Sequence, residues 1–345
     1  MKSAAGTPSR LCPTLIGAAL LICGGCGGGS SNSSPTSPGN PQPGGRPTNL
    51  TASVVSYVEQ SVRFGWTRPD QSSTYVIEIG NAPGATSRTV DTQDNGDFEI
   101  VPNLAGGENF ARVRARSASG LGEPSNEVRF FVVDIRDFVE ALLLGTGPYK
   151  SQIDSGCGFG TCGVVNGFAR GVTVRGRAWS GFAGANLDAI RNVNSQLPSA
   201  TDGAISASLD LTDDSRPTPA PNEITFGLIP ASGGCGGFEA CVNVTGTGGV
   251  IRTASAIFSA AFGADPLRTA SFGHEVGHGV LGMKHVNSDS IGGDQASIMA
   301  TRPGGTINLP SSLTPLDLEA LSFVYRAGLG AGSTLGQMRS AGVIK

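Results

Sequence analysis

The chain has 345 residues, 39% hydrophobic and 15% charged, with 52 glycines and a net charge of -3. That balance suits a soluble, glycine-rich extracellular protein of about two domains. It excludes a nucleic-acid binder, whose basic footprint is missing, and no apolar run is long enough to span a bilayer as a helix.

At the N-terminus, Lys2 and Arg10 precede the apolar stretch LIGAALLI, the charge and h-region pattern of an export signal over residues 1–25. The following CGGCGGGSSNSSPTSPGNPQPGG sets cysteines at the end of the h-region and then a Gly/Ser/Pro tail with almost nothing apolar to bury. This arrangement resembles a bacterial lipoprotein signal followed by a tether, residues 26–45. The resemblance implies that Cys26 is lipidated, with Gly24 and Gly25 as the small residues before it, and that the membrane is a partner through that anchor. The expected location is the bacterial outer membrane or cell surface. Ordinary secretion is the alternative, and no Asp follows Cys26 to signal inner-membrane retention.

Residues 46–133 change to short alternating segments. SVRFGW puts Val62, Phe64 and Trp66 on one face, and TYVIEIG does the same for Tyr75, Ile77 and Ile79, so both read as strands. Turn clusters RPDQSS, GNAPG and DTQDNGD separate them, which predicts a small antiparallel sandwich. The region resembles a fibronectin type III domain: Trp66 in the second strand, Leu104 before FARVRARSASG, Phe110 near the family's tyrosine, and EPSNEVRFFV as the last strand. Trp66 and Tyr75 read as core, with an aromatic carbohydrate-binding pair as the competing reading.

From Asp134 onward, DIRDFVEALLLG predicts an amphipathic helix with Ile135, Phe138, Val139 and Leu142 on one side. GVTVRGRAWS reads as a strand and NLDAIRNVNSQLPSAT as a long helix; ISASLDL, NEITFGLI and ACVNVTG read as further strands. Two close cysteine pairs, Cys157/Cys162 and Cys235/Cys241, predict two local disulfides in an exported chain, with a four-Cys zinc ribbon as the alternative. Asp210, Asp213 and Asp214 read as a solvated turn or, alternatively, a loop holding Ca2+.

All three histidines of the chain fall in HEVGHGVLGMKH. His274 and His278 stand one helical turn apart and so aim two imidazoles at one point, as a zinc ion requires. Glu275 between them is placed to take a proton from a water at the metal rather than to be a ligand. The preceding PLRTASFG reads as helix with Pro266 near its start. Gly279 and Gly282 weaken the helix and allow a sharp exit that returns His285 to the same ion.

The motif resembles that of the metzincin zinc peptidases, and Ser297-Ile298-Met299-Ala300 resembles their Met-turn, with Met299 packing beneath the three-His site. LTPLDLEALSFVY is similar to the C-terminal helix of matrixin-like metzincins, with Leu313, Leu316, Leu318, Leu321 and Val324 at helical spacing. The resemblance implies a multidomain chain: an all-β fibronectin type III sandwich, then an α+β metzincin-type zincin catalytic domain over residues 134–345. It further implies a protein or peptide substrate laid along an exposed sheet edge, and Thr306, Ile307, Asn308 and Leu309 walling the pocket beside the zinc.

One departure is specific. The family pattern HExxHxxGxxH is one residue shorter than this chain between the second His and the Gly, and an added helical residue turns the rest of the segment by about 100°. A bulge or delayed exit would absorb it, leaving His285 as third ligand; the alternative recruits Asp289 or Asp294. A different class of function also stands: an anchored adhesion or scaffolding protein whose peptidase domain is inactive.

Overall fold

The computed structural model describes residues 45–69, 74–153, 161–230, 240–260, 269–303 and 308–345. Cys26 and the residues of the export signal, Cys157, Cys235, Pro266, Thr306 and Ile307 lie outside them. No helix among the described residues is long and apolar enough to cross a membrane.

The alternating segments form two facing sheets. β1 (Thr48–Ser56), β2 (Ser61–Thr67) and β5 (Phe98–Val101) make one, in the order β1-β2-β5. The other places β4 (Arg88–Asp91) beside β3 (Thr74–Gly80), then β6 (Gly107–Ser117), which pairs with both β7 (Gly120–Pro124) and β8 (Val128–Val132). All their pairings are antiparallel. This strand order is that of the sandwich seen in fibronectin type III domains. Val62, Phe64 and Trp66 meet Tyr75, Ile77 and Ile79 in its core. The Trp66 and Tyr75 rings lie 5.0 Å apart, 6% and 0% exposed, so neither has a face for a sugar.

One expectation is corrected here. EPSNEVRFFV is not one strand but two, broken where Ser125 turns in: its N–H donates to Val113 O and its Oγ accepts from Val113 N–H. The side chain satisfies the backbone that a continuous ladder would have paired.

Between Val132 and Val133 the apolar core of the sandwich gives way to that of the second half. Helix α1 (Ile135–Val139) starts at Asp134, whose carboxylate accepts from the Arg136 and Asp137 amides. Its continuation, Glu140–Leu144, winds as a π turn ended by left-handed Gly145. The predicted inward residues Ile135, Phe138, Val139 and Leu142 are buried and Arg136 is exposed, but in the π turn Ala141, Leu143 and Leu144 are buried as well, so the one-sided pattern ends there.

The second half is built on β10 (Val172–Trp179), β11 (Ile205–Thr212), β12 (Glu223–Ile229), β13 (Ala240–Thr247) and β14 (Val250–Ser259). Their order is β11-β10-β12-β14-β13, with β13 the antiparallel edge and β9 (Gly167–Phe168) also pairing β14. β14 is an addition to the predicted strands although it lies inside the sheet. Its buried positions Ile251, Ala254, Ala256 and Phe258 are out of step at Arg252 and Thr253, and the intervening Ser255 and Ile257 are not polar enough to mark an outer face. Helix α2 (Gly184–Ala200) buries Leu187, Ile190, Val193 and Leu197, and packs on both α3 (Thr269–Leu281) and α4 (Pro315–Arg326). A last helix, α5 (Leu335–Ser340), follows a Thr334 cap. Both halves belong to one compact unit, Pro41–Lys345.

Candidate metal centre

Helix α3 carries His274, Glu275 and His278 on buried positions. It ends where Gly282 adopts φ +61, a left-handed conformation in which an added Cβ would lie 2.4 Å from the Asn166 carbonyl. The Gly282 amide donates to His278 O, and the Met283 amide reaches back to Gly277 O, both at 3.1 Å. That second return spans one residue more than the usual glycine-ended closure, in which the amide reaches back five. The additional residue in the motif is taken up in this exit.

Three backbone bonds then fix the segment that carries His285. The Lys284 amide donates to Leu142 O (2.6 Å), the Ser151 amide to His285 O (3.3 Å), and the Val286 amide to Met299 O (3.0 Å). Val286 opens the short strand β15 (Val286–Asn287), which pairs in parallel with β16 (Ala300–Thr301) just after Met299.

His285 Nε2 consequently lies 3.2 Å from His274 Nε2 and 3.1 Å from His278 Nε2, and the three ligand atoms all fall within 4.8 Å of one another. Ligands at about 2.1 Å in a tetrahedral site stand roughly 3.4 Å apart, so the spacing fits a zinc ion. The donor set fits too. His274 Nδ1 lies 2.7 Å from Ile298 O and His278 Nδ1 2.7 Å from Met283 O. Nδ1–H donating to a carbonyl leaves Nε2 with its lone pair inward, the tautomer a metal needs. Burial, and then the neighbouring His274 and His285, hold His278 well below its ordinary value, which favours the neutral ring. Among the described residues, no other group of His, Cys, Asp or Glu meets these criteria for a metal.

Glu275 is 5% exposed, and its Oε2 has no hydrogen-bond partner among the described residues. Burial raises its carboxyl to about 8. A buried carboxyl with an idle oxygen, on the helix that carries His274 and His278, is the kind of perturbed group that gathers at functional sites.

Met299 is fully buried and its thioether lies against α3 where Gly277 offers no side chain; an added Cβ there would stand 2.9 Å from the sulfur. The turn that carries it is clamped by Asp317, which sequence reasoning missed. Asp317 accepts from Ser297 Oγ (2.6 Å), the Ile298 amide (2.9 Å) and the Thr314 amide and hydroxyl (both 3.0 Å). Burial raises its carboxyl above the usual range, partly opposed by those bonds. The signal available was Thr314-x-x-Asp317, a capping box at the start of α4. Ile298 thus receives Asp317 on its amide and His274 on its carbonyl.

The alternative third ligands are turned elsewhere: Asp289 lies 3.0 Å and Asp294 3.3 Å from Arg302. Asp210 pairs with Arg175, Asp213 accepts from Ser180 Oγ and Asp214 from the Arg216 amide, so these carboxylates do not converge as a Ca2+ loop requires. Cys162 and Cys241 are each in a disulfide, which excludes the zinc ribbon; Cys157 and Cys235 lie outside the described residues. Of the expected pocket wall, Asn308 and Leu309 are described, and the Asn308 amide donates to Asp294. Leu318, expected in the helical stripe, is only half-buried.

No family model and no curated protein matches the chain. Among solved structures, the crystal structure of an FN3 domain of human collagen XX is 26% identical, covering 29% of this chain and 98% of that one, at a TM-score of 0.23. A Clostridium thermocellum Fn3-like protein is 20% identical, covering 24% and 86%, at 0.22. Titin domains A168–A170 are 26% identical at 0.23, covering 27% of this chain and a third (33%) of that one. At such TM-scores the likeness carries no argument, and the sandwich assignment rests on strand order and core.

Proposed function

We propose that the chain is a zinc-dependent metalloendopeptidase of the metzincin, matrixin-like kind, exported and anchored through Cys26. The observation that carries this reading is the convergence of three imidazole Nε2 atoms, at 3.1 and 3.2 Å, with the His274 and His278 Nδ1 atoms each 2.7 Å from a backbone carbonyl. His274, His278 and His285 would hold the ion through Nε2. Zinc there supplies a Lewis acid that polarises a peptide carbonyl and makes water acidic near neutral pH. Glu275 takes the proton of the attacking water on its unbonded oxygen and passes it to the leaving amine nitrogen. Its burial excludes bulk water, so the carboxylate is a stronger base than an exposed one. Ile298 O and Met283 O keep the rings of His274 and His278 from turning. The antiparallel edge strand β13 is where an extended substrate would pair.

The soluble chain from Arg46 should bind about one zinc and cleave an unstructured protein. Glu275→Gln should keep the metal and lose about 10²–10⁴-fold in rate. Equal activity in Glu275→Gln, or a parent that binds no zinc, refutes the reading. Expressed whole in bacteria, the chain should partition into membranes and carry acyl mass on Cys26; an unacylated product cleaved elsewhere replaces the anchor by plain secretion.

A further inference from the structure

The sandwich is joined to the second half by more than a linker. The β1–β2 hairpin tip closes on one carboxylate of α4: Ser56 Oγ and the Val58 amide donate to Glu319 Oε1 at 2.7 and 3.0 Å, and the Tyr57 amide to Oε2 at 2.8 Å. Bonds to a charged acceptor are stronger than neutral ones. Tyr57 packs on the core of the second half, and so does Phe131 of β8. The Phe131 side chain lies against Gly292, where an added Cβ would stand 2.9 Å from it.

These two contacts fall on the two limbs that support the Met299 turn. Gly292 belongs to the segment between His285 and Met299, which after the two-residue strand β15 has only the short 3-10 turns Ser288–Ser290 and Asp294–Ala296. Glu319 stands two residues beyond Asp317, whose carboxylate holds the Ile298 amide at 2.9 Å; Ile298 O in turn lies 2.7 Å from His274 Nδ1. We propose that the sandwich is a brace for the metal centre and that Glu319 is a positioning residue: by holding the hairpin on α4, it suppresses local opening of the turn that orients His274. Segments short of regular structure open most readily, so an outside support matters most there.

Amide hydrogen exchange on the full chain without metal tests this. In Glu319→Ala the Ile298 and Met299 amides should lose about tenfold in protection, with partial recovery in Glu319→Gln, which still accepts hydrogen bonds. Phe226 and Ala256 amides in the central sheet should keep theirs. Phe131→Ala, acting on the other limb, should expose the same turn. Unchanged protection at Ile298, or an equal fall throughout the sheet, overturns the proposal. A second arm rests on the zinc reading: affinity from competition with a chromophoric chelator should fall about fivefold in Glu319→Ala. A parent that binds no zinc defeats that reading alone, because the exchange result still decides on the brace; a parent that binds zinc no more tightly than Glu319→Ala overturns the link to His274.

Discussion

The two halves of the chain bury different things. The sandwich core is mostly apolar and aromatic, closed by Trp66 on Tyr75, and the polar residues buried in that half, Ser61, Thr92, Asn109 and Ser125, are all neutral. The second half buries His274, Glu275, His278, Thr314 and Asp317 in the midst of its apolar core. An apolar core is held by area removed from water, and each side chain counts by size. A buried polar cluster is held only while each group has its partner, and any atom left over is conspicuous. In the first half the buried Ser61 Oγ and Trp66 Nε1 also lack a partner among the described residues, but both are neutral groups and neither sits in a cluster of ionisable side chains. In the second, the idle Glu275 oxygen is the place where packing stops accounting for the residue.

Removing the largest part of the apolar core should separate the two kinds most strongly. Trp66→Ala should cost about 3–5 kcal/mol in denaturant unfolding of the sandwich, while zinc affinity of the still-folded protein, measured in the cold, stays within about twofold. A matching loss of zinc affinity would mean that the halves are not distinct. His285→Ala acts in the opposite sense, lowering zinc affinity by about a hundredfold or more with little loss of stability in the metal-free protein. Asp289→Ala and Asp294→Ala should leave affinity unchanged, since both carboxylates face Arg302.

Asp317→Ala tests whether the polar cluster stands on its partners. It leaves the Ser297, Ile298 and Thr314 donors without an acceptor, and unfolding should become easier by about 2–4 kcal/mol, with weaker zinc binding. If calorimetry and titration show neither, the clamp on the turn is incidental.

The smallest effect is one of pH. Without metal, Glu275 has a folded value of about 8, above its value in the unfolded chain, so the folded state binds the extra proton. That contribution is complete below the unfolded value of about 4.5 and is lost as pH rises through 8. Metal-free Glu275→Gln should therefore have a higher Tm than the parent above pH 8, and the gap should close in acid. A gap independent of pH would place the carboxyl in water.

What the sequence discloses respects the same division. Strict alternation in SVRFGW and TYVIEIG reveals the sandwich faces, because one side of each strand is buried and the other is not. The one-turn spacing of His274 and His278 is equally local, as is the Thr314 cap. β14 escapes because Thr253 and Ser255 are not charged enough to mark an outer face, and the split at Ser125 depends on one hydroxyl meeting Val113 across the sheet. The tie of Asp317 to Thr314 is local, but its hold on the turn escapes because Ser297 and Ile298 lie 20 and 19 residues back, where no periodicity reaches. The fate of the added residue before Gly282 depends on Asn166 and Leu142, both far away in the chain.

The exit turn of α3 also bears on thermodynamics. With zinc bound as proposed, the interval from His278 to His285 would be a chelate loop, and its ends are already tied by the Gly282, Met283, Lys284 and Val286 amides. Closing a loop is the entropic part of chelation, and here folding has met it in advance. Metal uptake should then resemble the filling of a rigid multidentate ligand rather than the coupled folding of a zinc finger. Calorimetry of that step should show a heat-capacity change near zero, since hardly any apolar surface changes its exposure to water.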